Sequence, residues 1–383
     1  MDESRDVDLE DAIIRETWAE INLDHIGYNI EQIKKKLPQK TKIVAVVKAD
    51  GYGHGSVEVA KKAIESGAEA IAVALLEEAL VLRKASIQVP ILVLGRVPTK
   101  FAPLAAEQDI TLTFFQKEWL QELEHGAFKK ELKLHMKWDT GMGRIGITTE
   151  AELIELLSEL RETQNVSLTG VYTHFATADE LESMYYFKQK ECFENMLEVF
   201  EQEWSEPVSI HIGNSAASIR FPENMHNCIR FGISMYGLYP SSGIRENGFI
   251  SLKQAFSLHS RLAHVKKVPA GRSISYGQTY RAEEDEWIGT VPIGYGDGWI
   301  RKLKGFHVLV NGKYMPIVGR ICMDMMMIRL DQKYDVGTKV TLIGDQNNSH
   351  ISMDDVAEHL ETINYEIPCM LNERIPRIYI SEK

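Results

Sequence analysis

IVAVVKADGYGHG (Ile43–Gly55) runs from β-branched and small apolar residues straight into a lysine and a glycine-rich loop. The apolar part, IVAVVK (Ile43–Lys48), lacks polar alternation, as expected of a strand buried on both faces. Further strand-like runs lie at AIAVA (Ala70–Ala74), ILVLG (Ile91–Gly95), ITLTF (Ile110–Phe114) and LKLHMKW (Leu132–Trp138). LTGVYTH (Leu168–His174), VSIHIG (Val208–Gly213) and CIRFGIS (Cys228–Ser234) complete the set. Amphipathic helical patterns lie between them, the clearest with Phe193, Met196, Leu197, Phe200 and Trp204 on one face. Eight β runs alternating with helices over roughly 200 residues predict an α/β fold, a (β/α)8 TIM-type barrel. An open doubly wound sheet alternates in the same way, usually with fewer strands.

Upstream, ETWAEIN (Glu16–Asn22) alternates like a strand, and Asp24 is placed to cap a helix carrying Ile26, Ile30, Ile33 and Leu37. Downstream, the rhythm breaks at PSSGIRENG (Pro240–Gly248), a Pro/Ser/Gly-rich junction. Short strands follow: Asn311-Gly312 in FHVLVNGKYMPIVG signals a hairpin, and TKVTLIGD and RIPRIYI read as strands. A short helix is expected from Ser352, with Asp355 completing a capping box. The chain therefore divides into a barrel domain over residues 12–250 and a C-terminal, mostly-β domain over 251–383.

The 383 residues carry 43 Lys+Arg against 55 Asp+Glu, a net charge of -12, which argues against a protein built to grip nucleic acid or an anionic membrane. No apolar run approaches the roughly 18 residues of a membrane span. The acidic start MDESRDVDLEDAII is unlike a secretory signal, and the four cysteines lack the spacing of a metal site or disulfide framework. A cytoplasmic protein without a structural metal is expected.

Lys48, Lys137, His174, Asn214-Ser215 and Arg230-Gly232 lie at or just past the predicted C-terminal strand ends, where barrel active sites are built. Lys48 at the mouth of a buried strand is a candidate Schiff-base nucleophile, although a lone lysine there more commonly snorkels. WDTGMGRIG (Trp138–Gly146) puts Arg144 on a glycine-rich loop as a fork for an oxyanion; a surface loop with a Lys137–Asp139 pair fits equally. Ser215 and Gly232, after the seventh and eighth strands, suit a phosphate site, and an N-cap serine is compatible with it. Arg230, inside a strand, needs an anion or a strong acceptor, and a structural ion pair would also serve. His174 alone reads as a hydrogen-bonded core histidine.

VVKADGYGHG, KWDTGMGRIG, THFATAD, HIGNSAA, IRFGISMYG, ISYGQTY, PIGYGDGW, GRICMDM and NYEI…RIPR, in this order and spacing, resemble the alanine racemase family from about Trp18 to the C-terminus. The resemblance implies a pyridoxal 5′-phosphate (PLP) enzyme acting on alanine, a head-to-tail homodimer with shared active sites. It also implies that the strand over residues 16–22 joins the second domain. Lys48 would carry PLP covalently and act as base on one face of the substrate, with Tyr276 of the other subunit on the opposite face. A phenol is a poor base at neutral pH, so His174 linked to Arg230 would favour its ionised form. Arg230 would face the pyridine nitrogen, where the related barrel-type decarboxylases place a glutamate. Tyr52, Ser215, the Gly232 backbone and Tyr365 would hold the phosphate, with Asn214 beside Ser215. Arg144 would contact the PLP phenolic oxygen and the substrate carboxylate, with the Met323 backbone N–H of the other subunit completing the carboxylate site, and Lys137 matches a position often carbamylated. The expected role is supplying D-alanine for peptidoglycan, or degrading it. A racemase of serine or broader specificity remains open; a non-catalytic PLP-binding protein is disfavoured by the β domain, and a decarboxylase by Arg230.

Overall fold

The computed structural model describes residues 14–123 and 129–381. The acidic segment 1–13 lies outside the described residues, as do 124–128 and 382–383, so the first two residues of the expected barrel span are not covered. Contacts group the chain into two units, residues 23–254 and residues 14–22 with 255–381.

The strand Thr17–Asn22 (β1) precedes eight parallel strands among the described residues. These are β2 (Lys42–Val46), β3 (Ala70–Val73), β4 (Ile91–Arg96) and β5 (Ile110–Phe114), then β6 (Leu132–Lys137), β7 (Val166–Tyr172), β8 (Ser209–His211) and β9 (Cys228–Phe231). They pair in the order β8-β7-β6-β5-β4-β3-β2-β9. The pairing of β2 with β9 rules out an open doubly wound sheet, because it joins the first strand of the set to the last. A single parallel bridge, Gly213 to Ile229, spans the remaining gap, with the Arg230 N–H donating to the Gly213 carbonyl at 2.9 Å. All five residues of β5 are buried, Thr111 and Thr113 included, as expected of a parallel strand covered on both faces. The helical face of Phe193, Met196, Leu197 and Phe200 lies on Met184–Glu203, and Trp204 stands just past its end. Asp24 sits in the first turn of Leu23–Lys36 rather than capping it, and pairs with Lys62 at 3.3 Å.

In the other unit, β1 pairs antiparallel with Phe256–Arg261 and parallel with Arg377–Ile380, burying Thr17, Ala19 and Ile21 on one face. The hairpin His307–Val310/Lys313–Val318 turns through Asn311 and Gly312, both at positive φ (54° and 78°). Ser352 caps Met353–Leu360 in a reciprocal box with Asp355. The division falls between Gln254 and Ala255, four residues past residue 250. Asn29 holds Lys253 to the barrel unit through both its amide nitrogen and its oxygen, each at 2.8 Å. Among the described residues, no helix is long and apolar enough to cross a membrane.

Candidate active site

Lys48 follows β2 after one residue and opens a turn of left-handed hand: Ala49, Asp50, Gly51, Tyr52 and Gly53 all have φ between 50° and 76°. Each non-glycine residue there costs about 1–2 kcal/mol. The turn persists because it is over-determined. The Gly51 N–H donates to Val47 O (2.8 Å) and the Gly53 N–H to Ala49 O (2.9 Å). Carboxylates hold both ends, Glu78 accepting from the Ala49 N–H (2.6 Å) and Asp50 from the Ser56 N–H (2.8 Å). The Lys48 ammonium thereby stands 5.9 Å from the centre of the Tyr52 ring.

Tyr52 packs against Tyr236 at 4.9 Å, and the Tyr236 hydroxyl donates to Val46 O at 2.9 Å. A Cβ added to Gly232 would come within 2.9 Å of the Tyr52 hydroxyl. The Gly232 N–H donates to Ser215 Oγ at 3.0 Å. Ser215 opens the helix Ser215–Arg220, which Asn214 caps by accepting the Ala217 N–H at 2.9 Å. Tyr52, Ser215 and Gly232 are thus brought together, with Asn214 fixing the helix start.

Arg230 is 4% exposed on β9, and its guanidinium donates to neutral acceptors. Nη1 reaches His211 O (2.6 Å) and His211 Nδ1 (2.9 Å); Nη2 reaches Thr173 O (2.7 Å) and His174 Nδ1 (3.2 Å). Burial lowers the Arg230 pKa to about 10. Since His211 Nδ1 accepts from a guanidinium, its proton is assigned to Nε2, which then donates to His135 Nδ1 at 2.9 Å. Burial, then the Arg230 charge, push His174 and His211 well below the ordinary histidine range and His135 to about 3. Tyr172 lies flat on His211 (4.6 Å, 9°), and burial raises its hydroxyl to about 12. The sequence pairs His174 with Arg230; it does not single out His211, His135 or Tyr172. Their signal was available, as polar aromatic residues inside otherwise apolar parallel strands.

Lys137 ends β6, is 2% exposed, and its Nζ has no hydrogen-bond partner. Burial, then the Arg230 and Arg144 charges, lower it to about 7. It makes no hydrogen-bonded pair with Asp139, whose carboxylate accepts the N–H groups of Gly141 (3.0 Å), Gly143 (2.9 Å) and Arg144 (2.7 Å). Burial works to raise Asp139, but these bonds outweigh it and hold the group below the usual range. The loop fixed in this way leaves Arg144 exposed.

In the other unit, Tyr276 is 68% exposed on a turn with Ser275, Gly277 and Gln278 at positive φ (66°, 70° and 50°). Tyr276, Cys322 and Met323 line a cavity of about 930 Å³ with Lys266, Lys267 and Arg272. Tyr365 is half-buried at the start of Glu366–Met370.

The family model for the alanine racemase N-terminal domain matches residues 21–240, and that for the C-terminal domain matches 255–379. An alanine racemase of Anoxybacillus flavithermus is 53% identical over 378 residues, covering 98% of this chain and 97% of its own. The crystal structure of alanine racemase from Bacillus anthracis with bound L-Ala-P superposes with a TM-score of 0.93 at 49% identity over 96% of each chain. A histidine racemase from Leuconostoc mesenteroides is more distant, with a TM-score of 0.86 and 31% identity over 97% of this chain and 99% of its own. With both domains matched and relatives this similar over nearly the whole length, the chain belongs to the alanine racemase family.

Proposed function

We propose that this protein interconverts L- and D-alanine using PLP held by Lys48, in a homodimer whose sites each take Tyr276 and Met323 from the other subunit. The observation that carries the reading is Arg230, a buried guanidinium oriented by backbone carbonyls and two imidazole lone pairs. Such a group gives a ring nitrogen a hydrogen bond but not a proton, so it favours proton return over chemistry that needs a stronger electron sink.

The residues fit the cofactor. The close approach of the Tyr52 hydroxyl to Gly232, with Ser215 Oγ on the Gly232 N–H, gathers donors suited to a phosphate monoester, and Tyr365 would add a second phenol. When bound, PLP supplies the electron sink that acidifies the substrate Cα–H bond. The Lys48 amine removes or returns that proton on one face. The Tyr276 phenol serves the other, because racemisation requires deprotonation and reprotonation from opposite sides. Arg144 and the Met323 N–H bind the carboxylate. A buried Lys137 lowered to about 7 keeps a neutral fraction that would add CO2 as a carbamate with release of a proton, giving an anion suited to orienting Arg144. Supply of D-alanine to peptidoglycan is the role proposed.

The test is direct. Purified protein is expected to be yellow, to bleach with borohydride, and to racemise alanine faster than serine or histidine. Histidine belongs in the assay because a neighbour of the same fold is a histidine racemase. A colourless protein that PLP cannot reconstitute overturns the reading, and preference for another amino acid overturns its substrate.

A further inference from the structure

Arg15, just ahead of β1, makes a two-pronged ion pair with Asp297: Nη1 to Oδ1 at 2.8 Å and Nη2 to Oδ2 at 2.7 Å. Asp297 is fully buried, and Arg15 is further fixed by the carbonyls of Arg374 (2.8 Å) and Pro292 (3.1 Å). From the other side, Arg374 Nε approaches Asp297 Oδ1 at 3.4 Å, while its Nη2 donates to Asp324 at 2.7 Å. The result is a line of alternating charge, Arg15–Asp297–Arg374–Asp324, that ends beside Met323.

Asp297 does more than balance charge. Its Oδ2 accepts the Gly294 N–H at 3.0 Å and so fixes the turn Gly294–Gly298. Two N–H groups of that turn are spent on the substrate loop: Tyr295 N–H on Cys322 O (3.1 Å) and Gly296 N–H on Met323 O (2.8 Å). A peptide unit is planar and trans, so fixing the Cys322 carbonyl fixes the Met323 N–H of the same unit and aims it the opposite way. The Met323 carbonyl is held at the next peptide, which leaves the residue clamped on both sides. A Cβ on Gly294 would overlap both of these carbonyl oxygens, so the approach is open only to glycine.

We propose that Arg15 is a positioning residue for the substrate carboxylate, acting through Asp297 and the Gly294–Gly298 turn to aim the Met323 N–H. The inference rests on the reading that this N–H binds the carboxylate, and it gives the segment ahead of β1 a task in that site.

Holoenzyme carrying Arg15→Ala is assayed for kcat, KM for alanine, and competitive inhibition by propionate, which carries the carboxylate without the amine. KM and the propionate inhibition constant are expected to rise about tenfold with kcat within about twofold and the cofactor spectrum unchanged. Arg15→Lys should recover part of the loss. Unchanged KM in a folded variant, or a fall in kcat alone, overturns the proposal. If Arg15→Ala melts too low to assay, Arg15→Ala/Asp297→Asn removes the buried charge together with its partner. A KM still raised at restored Tm then supports positioning, whereas a KM restored along with Tm overturns it. If propionate fails to compete with alanine in the unaltered protein, the carboxylate reading itself fails, and the role of Arg15 falls with it.

Discussion

The Lys137 ammonium lies 4.8 Å over the Tyr172 ring, buried, with no hydrogen-bond acceptor on its Nζ. Its pKa is lowered from 10.5 to about 7, so the unfolded chain binds the proton more tightly than the folded one. Stability is therefore lost as pH falls from 10.5 towards 7, and the loss is complete below that window. In CO2-free buffer, Lys137→Met should melt above the unaltered protein at pH 6 by the equivalent of about 3–5 kcal/mol, and the gap should close by pH 10. Bicarbonate should raise the Tm of the unaltered protein only, with a carbamate signal in 13C NMR. A gap independent of pH would show that the amine is not buried as described.

Gly232 faces the Tyr52 hydroxyl, and Tyr52 cannot retreat while it packs on Tyr236 and sits in the left-handed turn. An alanine there would meet that hydroxyl at 2.9 Å, too close for either group to stay in place. Gly232→Ala should weaken PLP binding about tenfold, equivalent to about 1.4 kcal/mol, and lower the Tm of the cofactor-free protein by several degrees while leaving it folded. Fluorescence titration with PLP measures the first quantity and calorimetry the second. Unchanged affinity would remove Gly232 from the phosphate site.

The histidine chain behind Arg230 carries a pH signature of the same origin, burial beside the Arg230 charge, in a lower pH window. The His135 pKa is depressed from 6.5 to about 3, so its contribution to stability is present above 6.5 and is lost as pH falls through that window. Between pH 6.5 and about 5, the unaltered protein should lose up to about 2 kcal/mol more than His135→Gln. Urea unfolding at both pH values gives the comparison. Equal losses would mean that His135 is solvated or already charged.

Most of the barrel was legible in the sequence because short strand-like runs alternate regularly with amphipathic helical stretches. Strand ends were less so: VSIHIG spans six residues, yet only Ser209–His211 pairs regularly, since the chain must leave the sheet to present Asn214 and Ser215. The positions of Lys48, His174 and Arg230 followed from the strand assignment, whereas His211 and His135 did not. Their importance lies in a contact between strands that are far apart in sequence, and a histidine within a strand hints at burial without naming its partner. The left-handed turn was also hidden, because Gly51 and Gly53 permit it but Ala49, Asp50 and Tyr52 do not suggest it. Local hydrogen bonds and one long-range bond, from the Ala49 N–H to Glu78, hold that conformation, and residue preference alone would have denied it.

The sharing of sites can be decided by mixing two inactive proteins. Lys48→Ala lacks the residue that would carry PLP, and Tyr276→Phe lacks the opposite base; each homodimer should lose at least about 1000-fold in kcat. Tyr276 is exposed on its own unit, on a turn that three residues at positive φ hold out from the sheet, as a residue offered to another chain would be. A dimer with one subunit of each kind has one site with both groups intact and one with neither. Unfolding and refolding an equimolar mixture makes about half of the dimers mixed, so activity should return to about a quarter of that of the unaltered enzyme. If each site instead used the Tyr276 of its own subunit, every site in the mixed dimer would lack one base. The refolded mixture would then stay as inactive as its parents, and the shared-site reading would fail.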